Sequence, residues 1–148
     1  MKKCIESFLQ QRHIAVAGVS RNEKKFGTIV YHHLKERGYN VYAINPFMKE
    51  VNGDPVYRTV EDLPDQITAV VAVTKPDQTL QITDALKQKG IDHLWLQRGS
   101  FNDAVIARAE EYELNYIAGR CIMMFAEPVK SIHSFHRFFV KLFGNYPK

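Results

Sequence analysis

Six basic residues, Arg21, Lys24, Lys25, Lys49, Lys75 and Arg98, stand in four short segments that each follow an apolar run. A single surface cation usually does no more than keep a fold solvated. Cations gathered at one edge of a sheet match a ligand with several phosphates, because guanidinium and ammonium groups give strong charge-assisted hydrogen bonds to phosphate oxygens. The first segment, Gly18-Val19-Ser20-Arg21-Asn22-Glu23-Lys24-Lys25-Phe26-Gly27, adds more. Gly18 allows a tight turn after a strand, and Ser20 offers a hydroxyl. Gly27 opens a helix whose free N–H groups favour an anion.

Covalent chemistry has weaker support. Cys121 is the one plausible nucleophile, since the neighbouring Arg120 would lower a thiol pKa. A small apolar residue at the end of a sheet is the preferred reading. His13, His32, His33, His93, His133 and His136 all lie outside any glycine-rich catalytic loop. No Ser-His-Asp order and no paired-carboxylate motif appears. The expectation is a binding module and not an enzyme.

The surrounding pattern says which elements carry these loops. His13-Ile14-Ala15-Val16-Ala17-Gly18-Val19-Ser20 is a run of small apolar residues and reads as a buried strand. Residues 28–37 place Ile29, Val30 and Leu34 at helical spacing, and Gly38 stands where a left-handed C-cap belongs. Asn40-Val41-Tyr42-Ala43-Ile44-Asn45 is a second strand, stopped by Pro46. Ala69-Val70-Val71-Ala72-Val73-Thr74 is a third. Residues 77–89 are helical through Leu80, Ile82 and Leu86, with Gly90 as the stop. His93-Leu94-Trp95-Leu96-Gln97 is a fourth strand, 102–112 a helix, and Asn115-Tyr116-Ile117-Ala118-Gly119 a fifth strand. Pro55-Val56-Tyr57 reads as a short edge strand, and Thr59-Val60-Glu61-Asp62 as a helix start cut short by Pro64.

Apolar strands alternating with amphipathic helices predict an α/β, Rossmann-like three-layer sandwich with a mostly parallel sheet of five or six strands. Crossovers should be right-handed. In such a sheet ligands bind outside the carboxyl ends of the strands, where strand order reverses. All four cationic segments map to that edge, while Glu36, Asp84, Glu110, Glu111 and Glu113 fall on or beside the helices. The formal charge of +4 thus conceals a polarised molecule.

The nucleotide can be narrowed. The fingerprint G-x-G-x-x-G is absent, because Ser20 replaces its second glycine and the loop is longer. The second strand ends in Asn45-Pro46, where an NAD enzyme places an acid for the ribose 2′-hydroxyl. A phosphorylated ribose would be repelled by such an acid and welcomed by Lys49. The sequence therefore prefers a phosphorylated adenosine over plain NAD, and NADP and coenzyme A both qualify.

The last segment differs in character. Ile132, Phe135, Phe138, Phe139, Leu142 and Phe143 recur at steps of three and four, which predicts an aromatic helix over 130–143. It is expected to pack on its own sheet or on a second subunit, so a homodimer is a reasonable expectation. A membrane-surface helix is the sharper reading and is not preferred. His133 and His136 could face one metal, but two ligands without a supporting carboxylate are too few.

Composition agrees with a soluble protein. At 148 residues and 45% hydrophobic, one domain can bury its own core. No apolar run approaches the roughly 20 residues that span a bilayer. Glu6, Gln10, Gln11 and Arg12 interrupt the stretch that a secretory leader would need after Lys2-Lys3. Cys4 and Cys121 are too few for a disulfide framework, so a cytoplasmic protein is expected. No nucleic-acid motif is present.

Several motifs in order carry a resemblance. Gly18-x-Ser20-Arg21-Asn22-x-x-Lys25-x-Gly27, Val41-Tyr42-x-Ile44-Asn45-Pro46, Glu61-Asp62-Leu63-Pro64, Lys75-Pro76, Trp95-Leu96-Gln97 and Arg120-Cys121 resemble the small stand-alone CoA-binding domain proteins. That family is related to the CoA-binding domain of the succinyl-CoA synthetase alpha subunit. The resemblance covers about 13–125 and leaves the aromatic tail outside. It implies that the loop holding Gly18, Val19, Ser20, Arg21, Asn22, Lys25, Phe26 and Gly27 contacts CoA phosphates. It sets Asn45, Pro46 and Lys49 near the adenosine 3′-phosphate, Thr74, Lys75 and Pro76 beside the nucleotide, and Gln97 in the cleft. Arg98 departs from the uncharged residue expected there, although an added cation suits an anionic ligand. The synthetase's phosphorylated histidine sits in a further domain that this chain has no room for. The expected function is therefore non-catalytic binding of coenzyme A or an acyl-CoA, for sensing or delivery. The alternatives are an NADP-binding Rossmann-type oxidoreductase and a detached CoA-binding subunit of an acyl-CoA synthetase.

Overall fold

The structure, a computed structural model, describes residues 2–126. The expected aromatic helix over 130–143, with His133 and His136, lies outside the described residues. The chain begins with helix α1 (Lys2–Leu9), whose Ile5, Phe8 and Leu9 form one buried stripe. Strand β1 (His13–Ala17) follows and is buried along almost its whole length. Helix α2 (Phe26–Glu36) ends before Gly38, which takes a φ of 95°. Strand β2 is Asn40–Ile44. A hairpin comes next, β3 (Glu50–Val51) and β4 (Asp54–Tyr57), and then a single 3-10 turn at Val60–Asp62. Strand β5 (Ala69–Ala72), helix α3 (Pro76–Lys89), strand β6 (His93–Leu96), helix α4 (Asp103–Glu111) and strand β7 (Asn115–Ala118) complete the alternation.

Seven strands form one sheet in the order β3-β4-β2-β1-β5-β6-β7, parallel except for the two-residue β3. The Rossmann-like, mostly parallel α/β sandwich expected from the sequence is therefore present. The sheet is wider than the five or six strands expected, because the edge holds a hairpin in place of one strand. Asn52 and Gly53 form its two-residue loop with φ of 50° and 85°. Two consecutive positive values are what a type I′ turn needs, and that turn matches the twist of the flanking strands. Strand order reverses between β1 and β5, which fixes the switch point.

Two apolar layers flank the sheet. On one face α1, α2 and the segment after β7 bury Phe8, Leu9, Tyr31, Leu34, Trp95 and Phe125. Phe8 and Phe125 approach Trp95 with ring centroids at 5.3 and 5.9 Å, and the Trp95 indole donates to the Arg120 carbonyl at 2.7 Å. On the other face α3, α4 and the 59–63 segment bury Val60, Leu63, Leu86, Leu94, Val105 and Ala109 against β1, β5 and β6.

Two carboxylates tie the helices to this frame. Asp54 of the hairpin accepts from the Tyr31 hydroxyl at 2.8 Å and pairs with Lys35, both on α2. The Lys35 and Tyr31 hydrogen bonds hold the Asp54 carboxyl below its ordinary range, while burial and Asp54 together push the Tyr31 hydroxyl up. Asp84 of α3 pairs with Arg108 and accepts from Tyr112 at 2.7 Å, joining α3 to α4. The same donors, Arg108 first, lower its carboxyl. No helix among the described residues is long and apolar enough to cross a membrane.

Candidate nucleotide-binding cleft

The cleft begins where β1 ends. Gly18 has a φ of 106°, and a Cβ there would lie 2.5 Å from the Val73 carbonyl oxygen. A Cβ on Gly27 would meet the Gly18 carbonyl oxygen at 2.2 Å. Neither glycine can be replaced without moving backbone, so the turn after β1 and the first turn of α2 touch main chain to main chain. The loop between them is tied internally. The Ser20 N–H donates to the Thr28 hydroxyl at 2.9 Å, and that hydroxyl donates to the Ser20 carbonyl at 2.8 Å. The Asn22 N–H donates to the Ser20 hydroxyl at 3.1 Å, and the Lys24 N–H to the Asn22 side chain at 2.9 Å. Lys25, the N-cap residue of α2, makes no side-chain cap, so the first-turn N–H groups lack an acceptor from it. A helix start of this kind favours a phosphate.

Helix α3 presents its own start to the same edge. Pro76 takes the first helical position, where its missing N–H costs nothing. Thr74 and Thr79 share a hydroxyl–hydroxyl bond of 2.7 Å that fixes the turn after β5.

A cavity of about 550 Å³ opens on the α3 face of the sheet at this edge. It is lined by Gly18 after β1, Ile44 to Phe47 after β2, Arg58 to Glu61 after β4, Thr74 after β5, and Gln78, Gln81, Ile82 and Ala85 of α3. The floor is apolar and the rim carries hydroxyls, amides, the Arg58 guanidinium and the Glu61 carboxylate, which suits a nucleoside better than a hydrocarbon.

The structure places the expected site residues in different surroundings. Gly18, Asn45, Pro46 and Thr74 line the cavity. Ser20, Arg21, Asn22, Lys25, Phe26 and Gly27 form the loop between β1 and α2; Arg21, Asn22, Lys25 and Phe26 are exposed, while Gly27 and Val19 are buried. Lys49 is exposed beyond Phe47, and Lys75 and Pro76 open α3. None of Lys49, Lys75 and Arg98 lines the cavity. Gln97 is 1% exposed and faces inward, accepting from the Ile122 N–H at 2.8 Å and reaching the Cys121 sulfur at 3.8 Å. Its role in this structure is to hold the segment after β7.

Sequence reasoning missed Arg58, Thr59, Gln78 and Gln81. The signal was available in part. Pro55-Val56-Tyr57 reads as an edge strand, and a strand parallel to β2 must deliver its own following loop to the ligand edge. Asn45 donates through its N–H to the Tyr57 carbonyl at 2.9 Å, so Arg58 stands beside the end of β2.

The architecture and the glycine-lined edge define a nucleotide-type α/β domain, and comparison with known proteins says which. The family model described as a CoA binding domain matches residues 12–127, and the chain belongs to that family. Among solved structures the chain is similar to a conserved hypothetical protein from Pyrococcus furiosus, with 34% identity, a TM-score of 0.73, and coverage of 76% of this chain and 97% of that one. It is also similar to a hypothetical protein from Pyrococcus horikoshii, with 33% identity, a TM-score of 0.78, and coverage of 83% and 87%. Among curated proteins the alpha subunit of acetate–CoA ligase (ADP-forming) II from Pyrococcus furiosus is 29% identical over 126 residues, covering 84% of this chain. The chain spans only 28% of that relative's length.

Proposed function

We propose that the protein binds coenzyme A or an acyl-CoA at the carboxyl edge of its parallel sheet and serves as a non-catalytic binding, sensing or carrier module. The observation that carries this reading is the cleft at the switch point. The backbone contact between Gly18 and Gly27 sets a helix start against the end of β1, and the cavity runs from Gly18 across β2 to β4. A pyrophosphate at the first position lays a nucleoside into the second.

Calorimetry with CoA, acetyl-CoA, dephospho-CoA, NADP and NAD tests it. CoA should bind and NAD should not. Binding of NADP in preference to CoA would instead favour the oxidoreductase reading. The similarity to a ligase alpha subunit of which the chain covers 28% supports a second reading, a CoA-binding subunit that works with a separate catalytic partner. Affinity purification that brings down no ATP-binding synthetase partner counts against that second reading alone.

A further inference from the structure

We infer that Arg58, and not Lys49, is the cation that reads the ribose phosphate of the bound nucleotide. The inference rests on the proposed CoA reading and assigns its specificity to a residue outside every motif of the family resemblance. Arg58 is the sole cation among the described residues that line the cavity. Arg21, Lys24, Lys25, Lys49, Lys75 and Arg98, which the strand-end pattern singles out, all lie outside that lining.

Topology explains the placement. Strand β4 runs parallel to β2 with Ile44 opposite Tyr57, so the residue after Tyr57 emerges beside Asn45 at the ligand edge. The strand is held there by Asp54, through Tyr31 and Lys35 of α2. Gly18 marks the phosphate end of the cavity and Arg58 the opposite end, across β2. A nucleotide with its pyrophosphate at Gly18 therefore brings its ribose, and a phosphate carried on that ribose, toward β4.

Arg58 is also uncommitted. No ion pair or hydrogen bond engages it among the described residues, although Glu61 lines the same cavity. A guanidinium without a protein partner in a concave site keeps its forked donors for a planar or tetrahedral oxyanion. Lys49 and Arg58 are both exposed, and what separates them is that Arg58 lines the cavity and Lys49 does not.

The test is calorimetry on the full chain with CoA and dephospho-CoA, which differ by the ribose 3′-phosphate alone. Wild type, Arg58→Gln, Arg58→Lys and Lys49→Gln are compared, with circular dichroism melts confirming that each variant folds. Wild type should prefer CoA by about tenfold or more, the scale of one charge-assisted contact. Arg58→Gln should bind the two ligands equally, with its dephospho-CoA affinity unchanged, and Arg58→Lys should keep part of the preference. Lys49→Gln should keep nearly all of it. A preference that survives in Arg58→Gln overturns the assignment while CoA binding itself stands. Wild type that binds neither ligand overturns the CoA reading and this inference with it.

Discussion

The side-chain amide of Asn45 donates to the Val19 carbonyl at 2.7 Å, and its oxygen accepts from the Phe47 N–H at 2.8 Å. One side chain thus joins the loop after β1 to the loop after β2. The strand ends that must face one ligand are locked to each other before any ligand arrives. Asn45→Ala should cost about 1–2 kcal/mol of stability through two lost hydrogen bonds and weaken nucleotide binding as well. Asn45→Asp keeps the acceptor for Phe47 but sets a carboxylate against the Val19 carbonyl and the phosphate edge. It should therefore bind CoA more weakly than Asn45→Ala, by calorimetry.

Gly27 separates steric from conformational cost. It needs no unusual φ, so Gly27→Ala introduces only the contact with the Gly18 carbonyl oxygen. That backbone cannot yield without opening the turn after β1, and the change should cost about 2 kcal/mol or more. Gly99 has a φ of 87° with nothing within 4 Å of an added Cβ. Gly99→Ala should cost only about 1–2 kcal/mol of left-handed strain and leave ligand affinity intact. Equal losses of affinity in the two variants, measured by calorimetry, would contradict the backbone contact as the organiser of the site.

The paired carboxylates set the acid limb of stability. Asp54 and Asp84 both release their protons more readily folded than unfolded. Their stabilisation is complete above the ordinary value of 3.8 and is lost as pH falls through the lower folded values. Tyr31 acts at the other end: its raised value gives stabilisation that is complete below the ordinary 10.0 and is lost as pH rises beyond it. Melting temperature against pH should show a plateau over about pH 5–9, with a fall on either side. Asp54→Asn should flatten the acid arm and Tyr31→Phe the alkaline one. Arms of unchanged slope in these variants would rule out the assigned pairs.

Phe47 lines the mouth of the cavity while remaining 89% exposed. An aromatic ring left in water at the edge of a nucleoside-sized space is placed to stack on a base. Phe47→Ala should leave the melting temperature within about 1 °C, since an exposed side chain holds little of the core. It should weaken CoA binding by about 1 kcal/mol or more, several-fold in Kd. Full affinity in the variant would show that the base lies elsewhere.

The parallel strands β1, β2, β5, β6 and β7 are legible in the sequence because each is a short, mainly apolar run with glycine or proline soon after it. Helix α1 is not recognised when Lys2 to Leu9 is compared only with a secretory leader, yet Ile5, Phe8 and Leu9 already show three- and four-residue spacing. Strand β3 has two residues and no periodicity to read, although Asn52-Gly53 marks its turn. Glycines of the site are legible because the demand on them is local. Gln97 is not, because residue type cannot say whether an amide faces a ligand or a backbone N–H such as that of Ile122. Arg58 is hidden for a topological reason: its position depends on β4 pairing parallel to β2, a contact between chain segments that no local pattern encodes.

The contact between Gly18 and Gly27 has a consequence for how the cleft breathes. Ligand loops are commonly drawn from the least stable parts of a fold and open on their own. Here the Gly18 N–H donates to the Ile44 carbonyl at 3.3 Å, within a backbone sandwiched between Val73 and Gly27. Its exchange requires that bond to β2 to open. In native-state hydrogen exchange the Gly18 amide should therefore exchange more slowly than the amides of Arg21 and Glu23. The turn is assembled by folding, so under the proposed reading little ordering cost remains to be met when a nucleotide enters.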